Sequence, residues 1–358
     1  MSSSHPLAPL PGTEHTEHAM YLGLEELGHF FHQRRDHARL VLATVVTTAG
    51  STYRKAGAMM LFAEDGTRAG LVSGSCLEDD LAGHAAKVFA SNRPRRVNYD
   101  LHDDPDLVLG LGLGCGGDLS LQLHPLNHDQ GMNVLGSMFD AIAAGKDCRL
   151  LQFLSDGEGA ELEGDGIAVT GSEGLAAGQS TLLETGSEHR TDDTPAVFAL
   201  PISPPPRVLV CGAGPDAVPL AAQVRALGWR CLVLDHRAAY ADPARFASGV
   251  DVWLQRPGTL AQAELETIDA AIIMSHHVEH DLAYLRCLSA HPPAWVGLLG
   301  PAKRKATLLE RLGENTMTVY GPAGLDIGAE MPAAVALSIV AAIHAHMHGR
   351  DGMALGHG

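Results

Sequence analysis

Two cysteines in unusual settings and one glycine-rich turn are the residues with the most chemical potential in this sequence. Cys76 lies in Ser73-Gly74-Ser75-Cys76-Leu77-Glu78, where Ser75 and Glu78 have the S-x-x-E spacing of a capping box. The spacing predicts Cys76 as the first helical residue, beside unpaired backbone N–H groups, where a thiol ionises more readily. Cys115 lies in Gly110-Leu111-Gly112-Leu113-Gly114-Cys115-Gly116-Gly117. Five glycines around one cysteine give little core packing, but they let the backbone wrap a ligand closely and leave the sulfur accessible. Soft thiolates suit soft or sulfur-ligated metals and sulfur transfer. Cys76 and Cys115 are therefore candidate metal and cofactor contacts, with Gly114 and Gly116 beside the second. The competing reading of any free cysteine is a small buried side chain. It is preferred for Cys148, Cys211, Cys231 and Cys287, which fall in apparent strands or helices.

The third feature is Gly212-Ala213-Gly214-Pro215-Asp216-Ala217, a G-x-G-x-x-G/A turn between an apolar strand and a helix. Gly212 would allow the tight turn, Gly214 the approach of a phosphate, and Ala217 the close packing of helix on strand. The helix N-terminus would add partial positive charge. Asp235 ends the next strand, 23 residues after Gly212, where an acidic residue accepts hydrogen bonds from a ribose. Against this stands the reading in which the glycines serve only the turn and its packing. His276, His277, His280 and Asp281 follow a later strand as HHVEHD. The run looks like the HxHxDH metal motif, but its spacing differs. Polar loop residues lining a nucleotide crevice are the preferred reading, with His276 as a candidate contact.

These residues need elements to hold them. After Pro201–Pro206 the chain alternates strands (Arg207–Cys211, Arg230–Asp235, Val250–Leu254, Ala270–Met274, Trp295–Leu299) with helices near 215–227, 260–266, 279–290 and 302–313. A last helix runs from about Pro332 to His348. This alternation predicts a Rossmann-like doubly wound parallel sheet. Before the proline run the pattern is mixed α/β. Leu40–Thr47 reads as a buried strand, and Ala58–Phe62 and Gly70–Ser73 as a hairpin around Asp65-Gly66. A helix is expected from about Cys76 to Ala90, with further strands at Arg96–Tyr99, Asp118–Leu123 and Arg149–Leu154. The Gly- and Glu-rich stretch 155–189 reads as a peripheral acidic excursion. The expected organisation is a tail at 1–18, an α/β domain at 19–200, a linker at 201–206, a Rossmann-like domain at 207–350 and a short tail at 351–358.

The chain of 358 residues has 25 Lys+Arg against 42 Asp+Glu, a net charge of −17. That balance argues against nucleic acid or an anionic membrane surface as partner. The N-terminus lacks the basic and apolar regions of a signal peptide, and no apolar run is long enough to span a bilayer. A cytoplasmic protein with free thiols is expected.

Taken together, LATVVTTAGSTYRKAGAMMLFAEDG, SGSCLE and GLGCGG resemble the N-terminal domain of the xanthine dehydrogenase accessory factor family (XdhC/CoxI). VLVCGAGPDAVPLA…LDHR, MSHHVEHDLAYL, VGLLGPAKRKATLLERL and GLDIGAEMPAAVALSI resemble its C-terminal domain. The resemblance covers about 38–345, in order. It implies a chaperone that binds the molybdenum cofactor, assists its sulfuration and delivers it to a xanthine dehydrogenase-type molybdenum hydroxylase. A cysteine desulfurase is then a further partner. Carried over, Cys76 and Cys115 are candidate contacts to molybdenum or its sulfur, and Gly212–Ala217 a candidate phosphate cradle. Arg54 and Lys55 could meet an anionic cofactor, against the alternative of a solvated loop. The chain departs from the family pattern at Ser75, where SGGCLE has glycine, and at His124-Pro125 in place of Glu-Pro. Resemblance and the apolar last helix favour a homodimer. Two other functions compete: an NAD(P)-dependent oxidoreductase using the Rossmann turn, and a metal hydrolase using the histidines.

Overall fold

The computed structural model describes residues 23–50, 52–73, 77–99, 117–127, 131–154, 167–171, 181–183, 197–314 and 317–354. The chain divides into two compact units between Pro204 and Pro205.

In the first unit β1 (Leu40–Gly50), β2 (Met59–Ala63), β3 (Arg68–Gly70), β4 (Arg95–Tyr99) and β5 (Gly117–Leu126) form an antiparallel sheet of order β3-β2-β1-β5-β4. β1 is buried on both faces along most of its length, so its alternate side chains feed two cores. Val41, Ala43 and Val45 pack beneath α2 (Glu78–Ser91), against Leu77, Leu81, Ala85 and Val88. Leu40, Leu42 and Val46 pack with α1 (Leu24–Arg34) and α3 (Gly131–Ala143), through Phe31, Met138 and Phe139. The strand runs to Gly50, beyond the Thr47 expected from sequence, because β5 pairs with it over that length, with a register shift between Val45 and Thr47. A second antiparallel sheet, of order β7-β6-β9-β8, joins β6 (Cys148–Phe153), β7 (Ile167–Gly171), β8 (Thr181–Leu183) and β9 (Val197–Ile202). β7 and β8 lie in the stretch that the sequence marks as a peripheral excursion. β7 is part of the fold there, with Ile167 and Val169 packed in the core.

The second unit is a parallel sheet of β10 (Arg207–Cys211), β11 (Arg230–Asp235), β12 (Val250–Leu254), β13 (Ala270–Ile273), β14 (Trp295–Leu298) and β15 (Val319–Tyr320). Its order, β12-β11-β10-β13-β14-β15, is that of a doubly wound Rossmann-like sheet. α4 (Ala217–Ala226) and α8 (Pro332–Met347) cover one face, through Leu220, Val224, Ile339 and Ile343. α6 (Val278–Leu288) and α7 (Ala302–Leu312) cover the other, through Leu282, Leu285 and Leu308, while α5 (Gln262–Leu265) is a single turn. The order reverses between β10 and β13, and ligands of such sheets bind at the carboxyl ends of the strands there. Among the described residues no helix is long and apolar enough to cross a membrane.

Candidate functional site

In the first unit the segments that carry chemistry leave the five-stranded sheet at one end. Gly50, the last residue of β1, pairs with Gly117, the first of β5, and Tyr99 at the end of β4 pairs with Leu119. Gly70 at the end of β3 pairs with Met60 near the start of β2. The loop with Arg54 and Lys55 follows β1, the segment with Cys76 follows β3, and the segment with Cys115 precedes β5. Cys76, Cys115, Gly114 and Gly116 themselves lie outside the described residues. Arg54 and Lys55 are exposed, and with Tyr53 they line a cleft of about 540 Å³ that Leu27, Ala58 and Met59 also line.

The helix after Cys76 starts later than its capping signature predicts. α2 opens at Glu78, and Leu77 before it makes no side-chain cap. Glu78 is 3% exposed, and a carboxylate that deep needs donors. It takes them from Ser73: the backbone N–H donates at 2.9 Å and the hydroxyl at 2.7 Å. The same Ser73 oxygen accepts from Leu77 N–H at 3.2 Å. Burial thus recruits Ser73 as the partner of Glu78, and Cys76 precedes the helix by two residues instead of opening it. The other cysteines match their apolar settings. Cys148, Cys211 and Cys231 are buried and Cys287 partly so. Burial pushes all four thiols up, that of Cys231 to about 12.

In the second unit the glycine turn is shaped by close approach. Gly212 has φ +114°, and a Cβ there would stand 2.8 Å from the Met274 carbonyl oxygen. Gly214 differs: a Cβ would meet nothing within 4 Å, so the space above it is open. Ala217 is fully buried at the start of α4. Asp216, before it, makes no side-chain cap, and its Oδ2 lies 3.6 Å from Nε2 of His276. His276 reaches across with φ +59°, a left-handed backbone uncommon outside glycine.

Asp235, at the end of β11, is enclosed by protein donors. Its Oδ1 accepts from Arg237 N and Nε, both at 2.9 Å. Its Oδ2 accepts from Ala213 N at 2.8 Å and Arg237 Nη2 at 2.7 Å. An ionised carboxylate has about four acceptor positions, and protein donors fill them, leaving none for a ribose hydroxyl. Burial pushes this carboxyl up, but the donors outweigh it and hold it at about 2, below its ordinary 3.8. A depressed folded pKa gives stability that is present above the ordinary value and lost as pH falls toward the folded one. The wild type should thus lose about 2 kcal/mol between roughly pH 5 and pH 2 through this group. Asp235→Asn should flatten that part of the acid limb, read as the melting of the C-terminal unit against pH.

The histidine run also rearranges. Asp281 is fully buried and turns away from the imidazoles; its Oδ2 accepts from Arg304 Nη2 at 2.6 Å and Nε at 3.0 Å, and its Oδ1 accepts from the Ser275 hydroxyl. His277 and His280 stay together, with ring centroids 4.3 Å apart, and His236 from the end of β11 joins them at 4.4 Å from His280. Among the described residues no group of three or more His, Cys, Asp or Glu side chains is arranged to hold a metal ion. Sequence reasoning missed Arg237, Arg304 and the Ser73–Glu78 pair. The one available signal was the basic residue two places after the strand-ending acid in Leu234-Asp235-His236-Arg237.

These features define an α/β protein with a doubly wound Rossmann-like domain and an antiparallel domain whose loops leave the sheet at one end. Comparison with known proteins sets it in a family. The XdhC Rossmann domain matches residues 208–343, and the XdhC and CoxI family residues 33–100. A Bacillus subtilis (strain 168) protein named as a probable subunit of xanthine dehydrogenase is 31% identical over 310 residues, covering 86% of this chain and 93% of that one. The molybdenum cofactor insertion chaperone PaoD of Escherichia coli (strain K12) is 25% identical over 311 residues, covering 85% and 82%. A crystal structure described as a xanthine dehydrogenase from Bacillus halodurans superposes with a TM-score of 0.75 at 31% identity, covering 91% of this chain and 96% of that one. The chain belongs to the XdhC and CoxI family.

Proposed function

We propose that this chain is an accessory protein that carries the molybdenum cofactor to a xanthine dehydrogenase-type molybdenum hydroxylase and assists its sulfuration. The observation that carries this reading is the convergence of the segments bearing Arg54, Cys76 and Cys115 on one end of the first sheet. Leu77, next to Cys76, and Leu119, four residues after Cys115, belong to the same core beneath α2. The cargo is an anionic pterin phosphate with a sulfur-bound metal, and it needs soft ligands, cations and a phosphate cradle. In the first unit the two cysteines and Arg54 with Lys55 answer the first two needs; the open turn over Gly214 is a candidate phosphate cradle of the second unit, taken by itself. The chain carries the cofactor and leaves turnover to its client. A cysteine desulfurase is the matching sulfur donor, and a homodimer in the cytoplasm the matching state. The filled acceptors of Asp235 weaken the competing oxidoreductase reading, which relied on that residue to hold a ribose.

Protein purified from cells that make the cofactor tests the reading. Cys115→Ala should lower molybdenum per chain at least about tenfold, since even the loss of a group that only orients a metal ligand costs about that much, and leave the client inactive. Cys76→Ala should act in the same direction. Unchanged molybdenum content and client activity in both variants would overturn the proposal.

A further inference from the structure

We infer that the mouth between β10 and β13 holds a second anion subsite, built by Arg237 with His236, His277 and His280. It selects a nucleotide whose ribose carries a phosphate over one with free ribose hydroxyls. The inference rests on Gly212–Ala217 being a phosphate cradle and is independent of the cysteines.

Three observations support it. First, a free ribose is held by an acidic residue at the end of the second strand, whereas an arginine there accommodates a ribose phosphate. Asp235 has its acceptor positions filled, so it offers a free ribose nothing. Second, Arg237 spends Nε and Nη2 on Asp235 and lies over the Tyr240 ring at 3.9 Å. Its side chain is 42% exposed, and a guanidinium has five N–H donors, so the Nη1 edge is available to an anion. Third, the imidazoles meet at this end of the sheet. β10 lies between β11 and β13, and the contact of His236, after β11, with His280, on the helix after β13, joins the segments that flank β10 at the carboxyl ends of the strands.

Charge sets the pH behaviour. Asp235 cancels Arg237, so extra attraction for a dianion comes from the His280 imidazole when it binds a proton, with His236 and His277 packed against it. Burial holds the His280 imidazole below its ordinary value, helped by His236, His277 and Arg237 and opposed by Asp281. Other charged groups also flank the mouth: Arg245 Nη1 donates to the carbonyls of Ala213 at 2.8 Å and Tyr240 at 2.7 Å. Asp216 faces His276, Asp281 is tied to Arg304, and Glu279 is tied to Arg311. The Tyr284 hydroxyl is pushed up by burial and stays neutral. A lower pH therefore adds positive charge at the mouth and strengthens anion binding.

Titration calorimetry on the full chain, with adenosine 2′,5′-bisphosphate and adenosine 5′-monophosphate as probes, tests this. Near pH 6 the bisphosphate should bind about tenfold more tightly, the effect of one charge-assisted hydrogen bond. The preference should shrink near pH 8, above the imidazole range. His280→Gln should reduce the preference, and Arg237→Lys should reduce it at both pH values. Equal affinities at both pH values would overturn the inference. So would tighter binding of both probes by His280→Gln, which would make the imidazoles a barrier over the crevice. Binding of neither probe would overturn it together with the phosphate role of the turn, while leaving the result for Cys115 intact.

Discussion

Gly212→Ala is expected to destabilise the C-terminal unit by about 2–5 kcal/mol, the sum of backbone strain and overpacking. At φ +114° an alanine must accept a conformation open mainly to glycine, or the turn must move. Moving is blocked, because the new Cβ would meet the Met274 carbonyl at 2.8–2.9 Å and Ser275 Cα at 2.9 Å, and these are backbone atoms at the end of β13. Gly212 N–H also donates to Leu234 O at 2.8 Å, so a shift there disturbs β11 as well. The melting transition of this unit should fall by roughly 5–15 °C, at about 2–4 °C per kcal/mol for a domain of this size. Gly214→Ala is the control. It has open space and no positive φ, so it should melt within about 2 °C of the wild type. Its methyl would nevertheless stand where a phosphate is expected to approach, and it should weaken binding of adenosine 5′-monophosphate. Scanning calorimetry separates the cases: a Gly212→Ala protein that melts like the wild type would show that the turn tolerates a side chain and that close approach does not dictate the glycine.

The second unit was the more legible of the two, for a physical reason. A parallel strand covered on both faces is a short apolar run, and Arg207–Cys211, Arg230–Asp235 and Ala270–Ile273 stand out as such between helices. β15, two residues long, carries too little pattern to be seen. In the first unit β7 and β8 were hidden by the acidic, glycine-rich composition around them, since their strand character comes from pairing with β6 and β9. At the sites, residue types were legible and partners were not. The Glu78 carboxylate is buried and accepts from Ser73, five residues earlier, a pairing that the S-x-x-E spacing does not announce. Asp235 sits where the fold predicts an acid, yet the side chain two residues on consumes its acceptors. His236 is 44 residues from His280, and only the adjacency of β11, β10 and β13 brings the two rings together. The thiols expected to carry the chemistry, Cys76 and Cys115, lie outside the described residues and stand on the proposal above.

Glu78→Ala should be the most informative substitution in the N-terminal unit, because it joins stability to the proposed cargo. The carboxylate accepts both the N–H and the hydroxyl of Ser73 in an interior site. Removing it strands a buried backbone donor, at a cost of about 1–3 kcal/mol, and weakens the hydroxyl's anchoring by a further ~1 kcal/mol. The expected loss is therefore about 2–4 kcal/mol in the N-terminal transition. Glu78→Gln keeps one oxygen for the N–H and an amide donor for the Ser73 hydroxyl, so it should lose about 1 kcal/mol. Ser73 and Leu77 bracket the three residues that include Cys76, and Glu78 fixes the first of them while Ser73 Oγ accepts from the second. Releasing that bracket should cost molybdenum retention even at temperatures where the variant is folded, and the Gln variant should retain more than the Ala variant. Molybdenum per folded chain, measured well below the melting transition, separates this effect from instability alone. If Glu78→Ala lowers the melting temperature but holds as much molybdenum as the wild type, the Ser73–Glu78 pair serves the fold only, and the segment it brackets has no part in holding the cargo.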